Sequence, residues 1–204
     1  MEDDSMKTLV IVGASGHGKV LADIADKIRY ENIYFLDDNE NVKQCGGFPV
    51  IGKCSEIQNI EADIIVGIGN ANIRKQLQEK LIGKNIVTLI HPNAVIGGNV
   101  HIGIGTVVMA GAVINPGAVI GEGCIINTCA SVDHDCKIGD FCHIAVGSHL
   151  CGTVILGNSV WIGAGATIKN NTSICHDSII GAGAVVIDNI IEAGTYVGVP
   201  ARKK

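Results

Sequence analysis

Ile96-Gly-Gly-Asn-Val-His-Ile102-Gly-Ile-Gly-Thr-Val-Val108-Met-Ala-Gly-Ala-Val-Ile114 sets a branched aliphatic residue at every sixth position. The series continues without a gap through Ile120, Ile126, Val132, Ile138, Ile144, Leu150, Leu156, Ile162, Ile168, Ile174, Ile180 and Val186. Four residues behind it runs a second, mostly small and wholly uncharged series that includes Thr106, Ala112, Cys124, Cys136, Cys142 and Ser148. Glycine commonly follows the aliphatic residue, as at Gly97, Gly103 and Gly163. Neither an α-helix nor an alternating strand has a period of six. Hexapeptide repetition is the signature of a parallel β-helix. Three hexads are expected to make one triangular coil, with the aliphatic residue inside the prism and the small one at a corner. Glycine or asparagine is expected to take the turn conformations that β-branched residues resist. Sixteen hexads give a little over five coils, enough for a continuous core.

The segment before this array follows another grammar. Thr8-Leu-Val-Ile-Val12 is a β-rich run that leads into Gly13-Ala-Ser-Gly-His-Gly18. A helix is expected to open near His17 or Gly18, with Val20, Leu21, Ile24, Ala25 and Ile28 on its apolar face. Further strands are expected at Ile33–Leu36, at 63–69 and at 86–90, with a helix over 72–82. Alternating strand and helix imply a parallel sheet covered by helices. The expected organisation is therefore an α/β half-Rossmann domain over residues 1–90 and an all-β parallel β-helix over 91–204.

Composition narrows the function classes. The chain has 204 residues, 47% hydrophobic and only 3% aromatic, with 27 glycines and a net charge of −5. That balance argues against a broad basic face for nucleic acid. No apolar stretch reaches the length of a membrane span. The start, Met1-Glu-Asp-Asp-Ser-Met6, is acidic and reads as no export signal. With no Cys-x-x-Cys pair among eight cysteines, a reducing cytoplasm is the expected compartment. Cys124, Cys136 and Cys142 fall in the small-residue series and are expected to pack as small hydrophobes. Cys129, Cys151 and Cys175 fall off it and are expected to be partly exposed.

Two places carry chemistry. The loop 13–18 joins a strand to a helix, where free N–H groups and the helix dipole suit a phosphate. Asp37 and Asp38 end the next strand, where a carboxylate can bind ribose hydroxyls. Read alone, this is equally a dinucleotide fingerprint. The segment is only half of a doubly wound domain, however, which favours one nucleotide over two and a nucleotide-sugar over NAD. The second place is Asp133-His134-Asp135. Histidine titrates near working pH, and a carboxylate beside it raises its basicity and fixes its tautomer. Sequence neighbours in a strand point to opposite faces, so a His134–Asp135 contact requires a turn. His101, His143 and His149 precede inward aliphatics and are expected to point outward. Trp161 does likewise and reads as surface or subunit contact.

The hexads resemble those of left-handed β-helix acyltransferases, and the handedness is taken from that resemblance. A more specific set of motifs occurs in order: Gly13-Ala-Ser-Gly-His-Gly18, Phe35-Leu-Asp-Asp38, Gly67-Ile-Gly-Asn70, Leu89-Ile-His-Pro92, Asn127-Thr128, Ser131-Val-Asp-His-Asp135 and Gly198-Val-Pro-Ala201. Together they resemble the PglD-like and NeuD-like bacterial sugar acetyltransferases over nearly the whole chain.

The resemblance implies an acetyl-CoA-dependent N-acetyltransferase acting on a nucleotide-linked 4-amino-sugar, with UDP the preferred nucleotide. It implies that Ser15, Gly16, His17, Asp37, Asp38 and Gly69 touch the nucleotide-sugar. It makes His134 the general base and Asp135 its tuning carboxylate. It places His143 at acetyl-CoA, gives Gly152 a backbone N–H that polarises the thioester carbonyl, and has Ala164 and Ala182 line the CoA channel. No metal is implied. A homotrimer with sites between subunits, located in the bacterial cytoplasm, is expected on the same basis. The runner-up is O-acetylation of sialic acid or a related sugar. A zinc hydro-lyase on the same fold needs three converging histidines, which the spacing of His143 and His149 does not supply. A non-catalytic scaffold would fail to bind CoA. The terminal Arg202, Lys203 and Lys204 read as CoA-phosphate contacts or as a solvated tail.

Overall fold

The computed structural model describes residues 7–204. The stretch from Met1 to Met6, on which the reading of no export signal rests, lies outside the described residues. The chain falls into two compact units, one ending at Pro92 and the other beginning at Asn93.

In the first unit, β1 (Thr8–Val12), β2 (Asn32–Leu36) and β5 (Asp63–Val66) are the apolar runs expected from sequence. β1 lies between β2 and β5, parallel to both. The sheet extends on one side through β6 (Asn85–Ile86). On the other side lie β4 (Phe48–Gly52), parallel to β2, and β3 (Gln44–Cys45), antiparallel to β4. The β3–β4 hairpin is absent from the sequence reading. Its signal is Gly46-Gly47, a two-residue turn with both φ values positive (60° and 92°) that joins a two-residue strand to one carrying Pro49. The strand expected over 86–90 is divided: Asn85–Ile86 closes the sheet, and a separate short strand follows at Leu89–Ile90.

Helix α1 (Gly16–Lys27) buries Gly18, Leu21, Ala22, Ile24 and Ala25. Val20, expected on that face, is 39% exposed. At roughly 100° per residue it lies outside the arc centred on Leu21 and Ala25, and Gly18 and Ala22 fill that arc instead. Helix α2 (Ala71–Glu79) is capped by the Asn70 side chain, which accepts the Ile73 N–H at 3.1 Å.

The second unit is the parallel β-helix. Sixteen two-residue strands run from Val95–Ile96 to Val185–Val186. From Val95–Ile96 to Thr167–Ile168 each pairs with the strand eighteen residues on: Val108 with Ile126, Ile126 with Ile144, Ile144 with Ile162. The repeat of the coil is thus eighteen residues, three hexads. From Val108 to Val186 no member of the aliphatic series is more than 4% exposed. Ile96 is 36% exposed because its strand, in the first coil, pairs on one side only, with Val113–Ile114. The small series is buried from Thr106 to Ala184. Cys124, Cys136 and Cys142 turn their thiols onto carbonyl oxygens of the next coil, those of Gly139, Cys151 and Gly157. Burial pushes the Cys136 thiol up to about 11. Cys129 is exposed, and Cys151 and Cys175 are half-buried.

One expectation about glycine is corrected. The residue with left-handed φ is the third after each aliphatic, a position held by Asn99, Cys129, Asp135, Phe141, Thr153, Ser159, Asn171 and Asp177 as well as by glycines such as Gly165. The glycine directly after the aliphatic serves close approach. At Gly163 a Cβ would lie 2.6 Å from the Ala182 nitrogen of the next coil. The C-terminal basic residues are solvent-exposed, as one of the two expectations had it, but they form a strand rather than a loose tail. Arg202–Lys203 pairs antiparallel with Thr195–Val197, and Lys203 bonds Glu192 at 2.5 Å.

Candidate functional site

In the first unit the loops after β1, β2 and β5 leave the same edge of a parallel sheet, because the strands are adjacent and co-directional. That edge brings together every residue expected to touch the nucleotide-sugar: Ser15, Gly16 and His17 after β1, Asp37 and Asp38 after β2, and Gly69 after β5. Gly13 has φ +109°, outside the reach of most side chains. A Cβ on Gly18 would collide with the Gly13 carbonyl, so α1 can start this close to β1 only with glycine there. Gly16 and Gly69 have open space beside them.

The two carboxylates are already partly engaged. Asp37 Oδ2 accepts the Ala14 N–H at 2.7 Å and Oδ1 that of Asn39 at 2.8 Å. Asp38 Oδ1 accepts the Cys54 N–H at 3.0 Å. Asp37 therefore ties the β2 end to the glycine loop, and each carboxylate oxygen keeps a lone pair for a ligand hydroxyl.

In the second unit the hexad backbone determines where side chains go. His134 and Asp135 are the second and third residues after Val132. Asp135 has φ +59°, and that left-handed turn brings its Oδ2 to 2.9 Å from His134 Nδ1. A carboxylate only accepts, so Nδ1 carries the proton and Nε2 presents a lone pair. The Asp135 hydrogen bond raises the His134 pKa above the ordinary imidazole value, opposed by desolvation and helped by the charges of Asp133 and Asp135. Asp133 is held from beneath: Asn115 Nδ2 donates to its Oδ1 at 2.7 Å, and the same oxygen accepts the His134 N–H at 2.8 Å. Both bonds lower the Asp133 pKa, the Asn115 bond most.

Eighteen residues beyond His134 lies Gly152, buried on the same corner of the next coil. A Cβ there would fall 2.5 Å from His134 Nε2. The Cys136 thiol donates to the Cys151 carbonyl at 3.2 Å. Across a trans peptide this turns the Gly152 N–H the opposite way. That N–H donates to no other group among the described residues. A base nitrogen and a free backbone donor thus adjoin each other.

The remaining expected residues lie elsewhere on the prism. His143 points outward from its strand, half-buried. It stacks on Trp161 with centroids 4.9 Å apart, and its Nε2 lies 3.1 Å from Asn127 Nδ2. Ala164 and Ala182, eighteen apart, stack on the corner that follows this face. His134 and Gly152 stack on the next corner, one strand face further round. One chain therefore unites His134 with Gly152, and Ala164 with Ala182, but not the two pairs with each other.

A second pair repeats the His–Asp contact. His176 Nδ1 lies 2.8 Å from Asp177 Oδ2, and Asp177 has φ +57°. The contact is thus what this backbone gives any His-Asp at these two positions. Only His134 has a glycine against its free nitrogen; the glycine eighteen residues beyond His176, Gly194, faces Lys203. The sequence reading does not single out Asn115 or Arg74. For Asn115 the signal is the spacing of eighteen to Asp133. For Arg74, an arginine on a short polar helix, there is none.

Family models and solved structures agree with this architecture. Residues 8–81 match the PglD N-terminal domain, and residues 153–188 match the bacterial transferase hexapeptide model of six repeats. The acetyltransferase domain of PglB from Neisseria gonorrhoeae is 40% identical, with a TM-score of 0.93 over 97% of this chain and 100% of that one. That domain has also been solved with acetyl coenzyme A. PerB from Caulobacter crescentus, in complex with CoA and GDP-perosamine, is 34% identical, with a TM-score of 0.91 over 98% of each chain. UDP-N-acetylbacillosamine N-acetyltransferase from Bacillus subtilis is 38% identical over 112 residues, 51% of this chain and 52% of that enzyme. The chain thus spans about half the length of that curated relative. Fold and family models place the molecule among hexapeptide-repeat transferases. Within them, the chain belongs to the PglD/NeuD-like family of bacterial sugar acetyltransferases.

Proposed function

We propose that the chain transfers the acetyl group of acetyl-CoA to the amine of a nucleotide-linked 4-amino-sugar, UDP-linked by preference. The observation that carries the reading is His134: proton-bearing Nδ1 on Asp135, free Nε2 against Gly152. The neutral amine attacks the thioester carbonyl as His134 Nε2 takes its proton. The oxyanion that forms is met by the Gly152 N–H. The C–S bond then breaks, and the CoA thiolate leaves with a proton, so no acyl-enzyme is formed.

Acetyl-CoA is the expected co-substrate, as in the complexes of PglB with acetyl coenzyme A and of PerB with CoA. Ala164, Ala182 and His143 are assigned to it. Ser15, Gly16, His17, Asp37, Asp38 and Gly69 are assigned to the nucleotide-sugar, with Asp37 also fastening its loop. A homotrimer belongs to the same proposal. Its support is that the base and the CoA-lining alanines occupy different corners of one prism, so a neighbouring copy has to join them. The bacterial cytoplasm, in keeping with eight free thiols, is the proposed location.

The test is product mass by liquid chromatography. The protein is incubated with acetyl-CoA and a UDP-4-amino-4,6-dideoxy-N-acetylhexosamine, beside a GDP-linked 4-amino-sugar, sialic acid and a His134→Ala control. Gain of one acetyl group, lost in the control, is the expected result. Acetylation of the GDP-linked sugar alone reassigns the nucleotide. Acetylation of sialic acid alone moves the acceptor to a hydroxyl.

A further inference from the structure

Arg74 is 1% exposed and ranks among the largest fully buried side chains of the molecule. A buried charge of this kind is costly unless hydrogen bonds satisfy it. Its Nη1 donates to two carbonyl oxygens of the loop after β5, Ile68 at 2.9 Å and Gly69 at 2.8 Å. Both carbonyls are drawn toward the interior. In a trans peptide the C=O and the following N–H point in opposite directions. The N–H groups of Gly69 and Asn70 are therefore turned outward. Neither donates to any group among the described residues, Gly69 is half-exposed with open space beside it, and Asn70 is exposed. This loop leaves the same sheet edge as the glycine loop and Asp37.

We propose that Arg74 is a positioning residue for nucleotide-sugar binding: from inside the first unit it fixes two adjacent peptide groups so that the Gly69 and Asn70 N–H groups meet acceptor oxygens of the ligand. The inference rests on the nucleotide-sugar reading and adds to it the residue that sets its β5 loop. Arg74 touches no ligand. Lysine would keep the charge, but its ammonium lies one bond short of Nη1 and rotates freely, so it lacks the fixed planar N–H pair with which Nη1 holds the two carbonyls.

The test is calorimetric binding and steady-state kinetics on the whole chain, with the UDP-linked and GDP-linked 4-amino-4,6-dideoxyhexoses and with acetyl-CoA. Arg74→Lys is expected to raise Kd and KM for whichever nucleotide-sugar the wild type takes by about tenfold. The Kd of acetyl-CoA and kcat stay within about twofold. Equal weakening toward both substrates, or none toward the nucleotide-sugar, overturns the proposal while the functional reading stands. If Arg74→Lys does not fold, Asn70→Pro against Asn70→Ala decides. Both lose the helix cap, and Asn70 has φ −67°, which proline accepts. Only proline removes the N–H. Nucleotide-sugar binding about tenfold weaker in the proline variant supports the proposal; a difference under twofold overturns it. A wild type that binds neither nucleotide-sugar overturns both this inference and the reading beneath it.

Discussion

Gly152 lacks a side chain at the point where the imidazole of His134 lies: a Cβ on Gly152 would sit 2.5 Å from Nε2 and 2.7 Å from Cε1. Alanine at 152 must push the ring away, since the coil backbone is held by Thr153 N–H donating to the His134 carbonyl at 2.9 Å. Displacing a reacting nitrogen by about 1 Å costs on the order of 10²-fold in rate. Gly152→Ala is therefore expected to lose about that much kcat. The variant is exposed to little other strain, so the thermal midpoint should stay close to wild type. Stopped-flow turnover beside a melting curve checks both.

Asp135 sets the pH response. Its hydrogen bond is the first cause of the raised His134 pKa, so the protonated imidazole, which cannot act as the proposed base, persists to higher pH than a free histidine would. The acid limb of kcat/KM should accordingly have its midpoint above the ordinary value of about 6.5. Asp135→Asn keeps the left-handed turn, which asparagine tolerates. It removes the charge and the obligate acceptor. The midpoint is expected to move to lower pH, and the plateau to fall by about 10-fold or more as the base weakens and its tautomer loosens. A pH–rate profile of the two proteins decides it. A midpoint that stays in place would mean that the observed limb belongs to another group.

The hexad core should report burial directly. Ile144 is 0% exposed, with coils on both sides, and Ile96 is 36% exposed. Ile144→Ala removes buried methylenes and leaves a cavity within stacked backbone that has little room to collapse. That places it in the range of about 2–5 kcal/mol. Ile96→Ala should cost under about 1.5 kcal/mol, because part of its surface is already in water. Denaturant titration of both variants gives the comparison.

The regions of the molecule legible in sequence are those that a period enforces. Ile, Val or Leu at sixteen successive sixth positions leaves one architecture, and the register of eighteen follows from three hexads to a coil. His134 is visible because Asp135 follows it. Its partner Gly152 is visible only through family resemblance, although the spacing of eighteen places it on the next coil at the same corner. Arg74 and the Gly46-Gly47 hairpin are not legible. An arginine on a polar helix looks solvated until the fold bends the β5 loop over it, and the hairpin pairs a two-residue strand with one that carries Pro49, a residue that argues against a strand. Val20 fails for a simpler reason: it lies at helical spacing from Ile24, but outside the arc that packs.

The two kinds of glycine make the most discriminating stability test. Gly163 has an ordinary φ, but a Cβ there would meet the Ala182 nitrogen and the Ile180 oxygen, both at 2.6 Å and both backbone. Backbone in a stacked coil cannot rotate aside, so Gly163→Ala has to push neighbouring coils apart. Gly165, two residues on, has φ +67° and nothing within 4 Å of its Cβ. Asn171, at the equivalent position of the next hexad, already holds φ +58°. Gly165→Asn should therefore change stability by less than about 1 kcal/mol, since asparagine is the side chain best suited to that region. Gly163→Ala should cost several times more, about 2–4 kcal/mol, through overpacking and broken coil contacts. Chemical denaturation of the pair separates close approach from turn conformation. If the two costs came out reversed, the assignment of these glycines to their separate roles would be wrong.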